Sequence, residues 1–286
     1  MLTVSQLKTV YGFMTAFEID PRIKFKMLHR KHSTYQALKS TIDLYRKAFD
    51  CQILIAPSIL INAHIDVELI KGEETNPSDL FVLWDETIKR PEVMYAVLLK
   101  GAHSILIFKR GATLLTYAEA IKPSFPGSKK MEDIQPAEIG KLPHDHYPHG
   151  WNEFDWKVYD YLKYPREFSY RQVGEKLGVN WMTVKAHFKK ILEDCKPWNS
   201  FFPRGMPNYY HTYMTFETDY EIGIRKELQK IDRTSFIYKF GKTLLLYALL
   251  ENQEIYKRFY DLEKEGIIHD LRVSVPVQWF KPDIIL

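Results

Sequence analysis

Residues 23–40, IKFKMLHRKHSTYQALKS, fall on residues 168–185, FSYRQVGEKLGVNWMTVK, without a gap, at an offset of 145 (168 − 23). Self-similarity at this spacing constrains the fold strongly: whatever supersecondary unit the second stretch forms, the first must form in some version too. The likeness lies in the positions of apolar and turn residues rather than in identity. Leu28 falls on Val173, and Ser33 on Gly178. With 286 residues, the chain has room for about two ordinary domains.

The second copy is the easier to read. Residues 152–163 place Phe154, Val158, Tyr161 and Leu162 on one helical face. Ser169 followed by Gln172 is a capping box that opens a second helix, whose buried stripe is Tyr170, Val173 and Leu177. Gly178 suits the left-handed position that closes it, and Asn180 can cap the next helix. That third helix buries Val184, Phe188 and Ile191 and turns Trp181, Thr183, Lys185, His187 and Lys189 outward. After Pro207 the pattern changes to a strand over 209–217, a helix over 219–231, strands 235–240 and 243–250 about Gly241-Lys242, a helix over 253–265 closed by Gly266, and a strand over 268–277. This is the βαββαβ order.

The first half repeats the scheme with a helix over 3–18, a strand over 62–71, a helix over 77–89, and strands 93–99 and 103–109 about Gly101. Residues 113–121 read equally as a short helix or a last strand. Between the halves, 121–150 holds five prolines and three glycines and reads as a linker. The expected fold class is therefore α+β, with winged helix-turn-helix units combined with ferredoxin-like βαββαβ domains in an internal duplication. The expected boundaries are 1–60, 61–121, a linker over 122–150, 151–206 and 207–286.

Function is sought first in the charge. The net charge is only +4 and the sequence pI about 8.7, but the basic residues gather around the two tri-helical units. In helix-turn-helix proteins the third helix enters the major groove. Thr183 and Lys185 have base-reading chemistry, Asn180, Trp181 and Met182 sit beside them, and His187 and Lys189 follow on the same helix. Ser169, Tyr170 and Arg171 open the second helix, where backbone N–H groups and a cation hold phosphate. The matching set in the first unit is Lys24, Lys26, Lys31, Tyr35, Gln36 and Lys39, although His32-Ser33-Thr34 replaces the glycine turn there. The bland alternative is that both faces are solvated or dock another protein.

Leu177-Gly178-Val179-Asn180-Trp181-Met182-Thr183-Val184-Lys185, followed by a βαββαβ domain, resembles the Lrp/AsnC (feast/famine) transcription regulators of bacteria and archaea. The resemblance covers 151–283 well and 1–121 loosely. It implies DNA binding by the heads, pairing through the αβ domains and a small-molecule effector such as an amino acid. This chain carries both halves in one polypeptide, which implies a pseudo-dimer with two unlike heads and leaves a homodimer of such chains open.

The expectation is thus a DNA-binding transcription regulator in the cytoplasm, with double-stranded DNA as partner, no membrane contact, no cofactor and no catalytic role. Two alternatives stand beside it. Siroheme decarboxylases resemble the same family in fold, and here Arg204 and His211 would handle tetrapyrrole carboxylates. A protein-interaction scaffold is the other. Other chemistry finds little support. His144-Asp145-His146 with His149 has metal-ligand chemistry but lies in the Pro-rich linker, so no metal site is expected. His64, His103 and His211 read as packed or solvated strand residues, and Trp151, Trp156, Tyr159, Tyr161 and Tyr164 as helix packing. Cys51 and Cys195 lack CxxC spacing and read as buried thiols. The N-terminal stretch lacks signal-peptide character, and no apolar run is long enough to span a bilayer.

Overall fold

The structure, a computed structural model, describes residues 2–72, 77–111, 114–145, 148 and 150–281. Helices α1 (Val4–Ile19), α2 (Phe25–His32) and α3 (Leu38–Asp50) form a first head, and strands β1 (Ser58–Leu60) and β2 (Ile65–Lys71), helix α4 (Pro77–Thr87), and strands β3 (Val93–Gly101), β4 (His103–Arg110) and β5 (Leu115–Ile121) follow. The second half runs α5 (Glu153–Leu162), α6 (Tyr170–Leu177), α7 (Trp181–Asp194), β6 (Lys196–Trp198), β7 (Tyr210–Glu217), α8 (Glu221–Leu228), β8 (Ser235–Phe240), β9 (Thr243–Leu250), α9 (Tyr256–Lys264) and β10 (His269–Phe280). This is the expected α+β duplication.

The second head follows its sequence signals closely. Ser169 and Gln172 complete both arms of the capping box at α6, and Gly178 closes that helix at φ +68°. Asn180 caps α7 by accepting from the Met182 N–H at 2.9 Å. Gly174 has a separate reason to be glycine. A Cβ there would lie 2.7 Å from the Val179 carbonyl oxygen, so only a bare backbone lets α6 close onto the turn. Gly174→Val is therefore expected to lower head stability by about 2 kcal/mol through overpacking, read as a shift in chemical-denaturation midpoint; an unchanged midpoint would show that the turn relaxes freely.

The first head shows where the duplication has drifted. Helix α2 sits on α6 at the offset of 145 (25 + 145 = 170; 32 + 145 = 177), but α3 begins at Leu38, two residues later than the offset gives (181 − 145 = 36). Without a left-handed glycine, Ser33 leaves α2 in an extended conformation, φ −90° and ψ 138°, and the chain needs a longer path to turn.

The heads are clasped by reciprocal arginines. Arg22 donates to the carbonyls of Pro165 and Phe168 and lies 4.1 Å from the Tyr170 ring centroid. Arg166 donates to the Ile23 carbonyl at 2.9 Å and lies 4.8 Å from the Phe25 centroid. Ile23 and Phe168, like Phe25 and Tyr170, are duplicate positions, so the clasp is itself pseudo-symmetric.

Eight strands form one sheet in the order β2-β4-β3-β10-β7-β9-β8-β5. Strands β10-β7-β9-β8 have the complete ferredoxin-like arrangement. The first half supplies β2-β4-β3, while its last strand, β5, crosses to the far edge and pairs with β8. Residues 113–121, left open between helix and strand by the sequence, thus include a strand. In return β10 pairs with β3 as well as β7. The sheet curls until its edges meet: Asn62 Nδ2 donates to the Leu115 carbonyl at 2.9 Å, and the Leu114 N–H donates to Asp66 Oδ1 at 3.3 Å. The interior of this barrel is one core, with Val97, Leu99, Leu106, Phe202, Tyr213, Phe236, Leu245 and Tyr247. Helices cover the outer faces.

The expected free linker is instead a packed strap. Met131, Ile134 and Leu142 are buried in the core beneath α8 and α9. Glu227 accepts from Lys129 Nζ at 2.6 Å and from the Gln135 N–H at 3.0 Å, and Arg258 Nε donates to the Ile134 carbonyl at 2.8 Å. A proline-rich strap with few periodic apolar residues resembles a linker in sequence. Cys195 is buried as expected, but Cys51 is exposed.

Candidate active site

Strands β7, β9 and β8, with β6 (Lys196–Trp198) beside them, bring aromatic rings together at one end of the barrel. Tyr213 and Tyr247 face each other across β7 and β9 with ring centroids 4.4 Å apart and planes within 9°. Tyr247 stacks on Phe236 at 5.4 Å, and Phe236 on Trp198 at 5.5 Å. Inward-facing positions alternate along each strand, so Tyr213, Tyr247 and Phe236 on the neighbouring strands β7, β9 and β8 stack face to face in one buried column, which Trp198 of β6, outside the eight-stranded sheet, continues. Tyr95 packs against the same core from β3. Burial raises the pKa of Tyr213 and Tyr247 and pushes Tyr209 up to about 12, so these phenols stay protonated near neutrality.

His211 stands at the edge of this column. Its Nε2 lies 3.1 Å from the Met206 carbonyl, and its Nδ1 2.6 Å from the Tyr247 hydroxyl. A carbonyl can only accept, so Nε2 carries the proton and Nδ1 accepts from Tyr247. Burial lowers the His211 pKa against the pull of the Met206 carbonyl, which keeps the ring neutral near pH 7. The barrel is open here. Strand β10 pairs with β7 only as far as Ser274, while it stays on β3 to Phe280. Beyond Ser274 a gap separates β10 from β7. Trp279 sits at that gap with its ring centroid 5.8 Å from His211, and it is 45% exposed. A cleft of about 600 Å³ lies between the heads and the end of β10, lined by Tyr45, Phe49, Tyr164, Arg166 and Lys281 among others.

The residues expected to read DNA are dispersed by the structure into different roles. Trp181, Met182, Thr183, Lys185 and Lys189 are exposed on α7. His187 is not part of that surface. Its Nδ1 donates to Asp155 Oδ1 at 2.6 Å, and Lys190 Nζ donates to Oδ2 of the same carboxylate at 2.6 Å. Burial opposes the charge on Asp155, but the bonds from Lys190 and His187 outweigh it and hold the carboxyl below its ordinary range. Helical periodicity put His187 outward; a buried carboxylate on α5 draws it in. Ser169 is spent on its cap, Tyr170 lies under Arg22, and Arg171 is exposed and pairs with Glu175 at 3.0 Å. In the first head Lys24, Lys26, Lys31, Gln36 and Lys39 are exposed, while Tyr35 is half-buried and accepts from Gln6 Nε2 at 2.9 Å.

Among the described residues, no cluster of three or more histidine, cysteine or acidic side chains has metal-ligand geometry, and no helix is long and apolar enough to cross a membrane. Asp145 of the histidine-rich stretch bonds to Lys196 and the Ala118 N–H. His146 and His149 lie outside the described residues. His103 is buried, with Nε2 2.9 Å from Thr215 Oγ1. His64 is exposed in the left-handed region at φ +59°. The indole cluster packs as expected, with Trp151 and Trp156 4.7 Å apart.

No family model matches the chain, and no curated protein matches it. Solved structures do. The crystal structure of the siroheme decarboxylase NirDL superimposes with a TM-score of 0.57, covering 96% of this chain and 92% of that one at 10% sequence identity. The same enzyme in co-complex with an iron-uroporphyrin III analogue superimposes with a TM-score of 0.56, covering 94% and 91% at 10% identity. At this identity the likeness concerns the fold, mixed α+β as expected. It also corrects the expectation of a non-catalytic protein, because the solved structures that share the arrangement almost end to end are of an enzyme.

Proposed function

We propose that the chain is an enzyme acting on a carboxylated tetrapyrrole, in the manner of a siroheme decarboxylase, rather than primarily a transcription regulator. The observation that carries this reading is the superposition of both heads and both αβ units on that enzyme. The open end of the barrel supports it. The exposed Trp279 ring can stack on a planar macrocycle, and His211 beside it adds a proton-handling group.

The reaction class is loss of a side-chain carboxylate as CO2. The bond between the methylene and carboxylate carbons breaks, its electron pair stays with the methylene carbon, and one proton is taken up to give a methyl group. The chain must then hold the macrocycle, keep water from the carboxylate and deliver that proton. The Tyr247–His211 pair is placed for delivery, since the two groups already share a hydrogen bond. Incubation with siroheme followed by mass spectrometry should show carboxyl groups lost as CO2. Siroheme recovered unchanged, with no change in its absorption on mixing, would sink the reading.

One observation keeps a second reading in view. Trp181, Met182, Thr183, Lys185 and Lys189 present an exposed face, with Met182 59% exposed, and neither lysine is paired with an acid among the described residues. If that face reads duplex DNA, Lys185→Ala should weaken binding to a selected site by roughly tenfold (about 1–3 kcal/mol for a base contact) and flatten the salt dependence. Retention on DNA that is indifferent to sequence and to this substitution would leave the face as surface only.

A further inference from the structure

Two helices hold apolar pairs in water, and the charges beside them are opposite in sign. On α4, Phe81 and Val82 are each 59% exposed, with Asp85 and Glu86 exposed one turn on. On α7, Trp181 is 46% and Met182 59% exposed, with Lys185 and Lys189 exposed one and two turns on. Positions four apart share a helix face, so each apolar pair and the charges after it form one stripe. Among the described residues, none of Asp85, Glu86, Lys185 and Lys189 is in an ion pair. Beyond them the signs reverse: Lys89 is exposed just past α4, and Glu193 is exposed in the last turn of α7.

The duplication shows what α4 lacks. In the second half α8 follows β7 as α4 follows β2, and α8 is covered by the strap. Met131, Ile134 and Leu142 share a core with Ile224 and Leu228, and the Glu138 carbonyl oxygen lies 2.8 Å from where a Cβ on Gly223 would stand. The strap occurs once in the chain. Helix α4 packs Trp84 onto the sheet and keeps Phe81 and Val82 in solvent. Adjacent large apolar side chains held outward in this way, rimmed by charge, mark an interaction surface. On α7 there is room for an incoming ring. Where α6 meets α7, a shallow hollow of about 570 Å³ is lined by Gly174, Glu175, Gly178, Val179, Asn180 and Trp181. A Cβ built on Gly178 would meet nothing within 4 Å, so the hollow is open from outside.

We propose that the α4 face of one chain docks on the α7 face of a second copy, with Phe81 seated in the hollow beside Trp181. Laid parallel, the two stripes match throughout: apolar pair meets apolar pair, Asp85 and Glu86 meet Lys185 and Lys189, and Lys89 meets Glu193. Laid antiparallel, each apolar pair would be buried against charge. The faces therefore fit each other in one orientation, which gives the contact specificity. Each partner contributes a different patch. Two or three turns of helix bury less than the ~800 Å² per partner of a standard interface, so the association is weak, and salt weakens it further. The inference is independent of the tetrapyrrole reading, since neither face belongs to the open end of the barrel.

The test is sedimentation velocity across a concentration series, on wild type and two double variants, Phe81→Gln with Val82→Gln and Trp181→Gln with Met182→Gln. All four side chains are exposed and glutamine is a good helix former, so both variants should fold, as thermal unfolding checks. Wild type should self-associate as concentration rises. Each variant alone should need roughly tenfold more protein or beyond to do so. An equimolar mixture of the two should form one-to-one pairs, because one variant keeps the α7 face and the other the α4 face. Lys185→Glu should weaken association, and Asp85→Lys in the same chain should restore it. Wild type that stays monomeric up to its solubility limit, with or without retention on duplex DNA, would overturn the proposal. So would variants that associate as wild type does, or variants that stay monomeric when mixed.

Discussion

His211→Phe is expected to leave the barrel folded and to lower tetrapyrrole turnover by roughly 10²–10⁴-fold, the usual worth of a positioned proton donor. Phenylalanine keeps a flat ring beside Trp279, so stacking of the substrate there is preserved. What is lost is the proton path from Tyr247. The Met206 carbonyl and the Tyr247 hydroxyl lose a partner, at about 1–3 kcal/mol of stability. Thermal unfolding should therefore be recorded beside single-turnover rates. A folded variant that binds the macrocycle and turns it over at the wild-type rate would remove His211 from the chemistry.

Acid is expected to weaken the fold through His103 well before carboxylates protonate. Burial lowers this imidazole to a pKa of about 4, helped by the nearby positive charges of Arg272 and Lys71. The unfolded chain would take up its proton near pH 6.5, and the folded chain refuses it until about pH 4. Between those values the unfolded state binds more protons, so stability falls as pH falls, by about 1.4 kcal/mol per unit and about 3 kcal/mol in all. Denaturant unfolding at pH 7, 5.5 and 4.5 should show this slope in the wild type, and His103→Gln should flatten it. Identical slopes in the two proteins would assign the acid sensitivity elsewhere. Asp155 acts lower on the scale: its depressed carboxyl stabilises the second head above the ordinary carboxylate range and loses that contribution as pH drops through its own pKa.

The heads and the second αβ unit were legible because their signals are local. A capping box at Ser169, a left-handed glycine at 178 and alternating strands about Gly241 each act within a few residues of themselves. Three things were not legible, and each depends on contacts between distant segments. The strap over 122–150 is held by Glu227 and Arg258, neither of which marks the strap's own sequence. His187 turns inward because of Asp155, on another helix. The aromatic stack needs Tyr213, Tyr247 and Phe236 on three strands in register, with Trp198 brought to it from the separate β1–β6 pair. Alternation says that such residues face inward; it does not say where the barrel stays open. The densest basic stretch, around α2, lies on the head surface and not at the open end of the barrel.

The exchange of last strands, β5 to the second half and β10 to the first, makes the two halves a dimer that dilution cannot dissociate. Covalent linkage also frees the copies to evolve apart, because a substitution in one need not appear in the other. Strand β7 carries His211 on the face that lines the barrel with Tyr213, whereas β2 turns Ile65, Val67 and Leu69 to that face and leaves Asp66 on the other, where its carboxylate accepts from the Leu114 N–H. Where a symmetric pair of identical subunits would have had to keep the same residues in both places, this chain has an imidazole on one side of the barrel and aliphatic side chains on the matching strand.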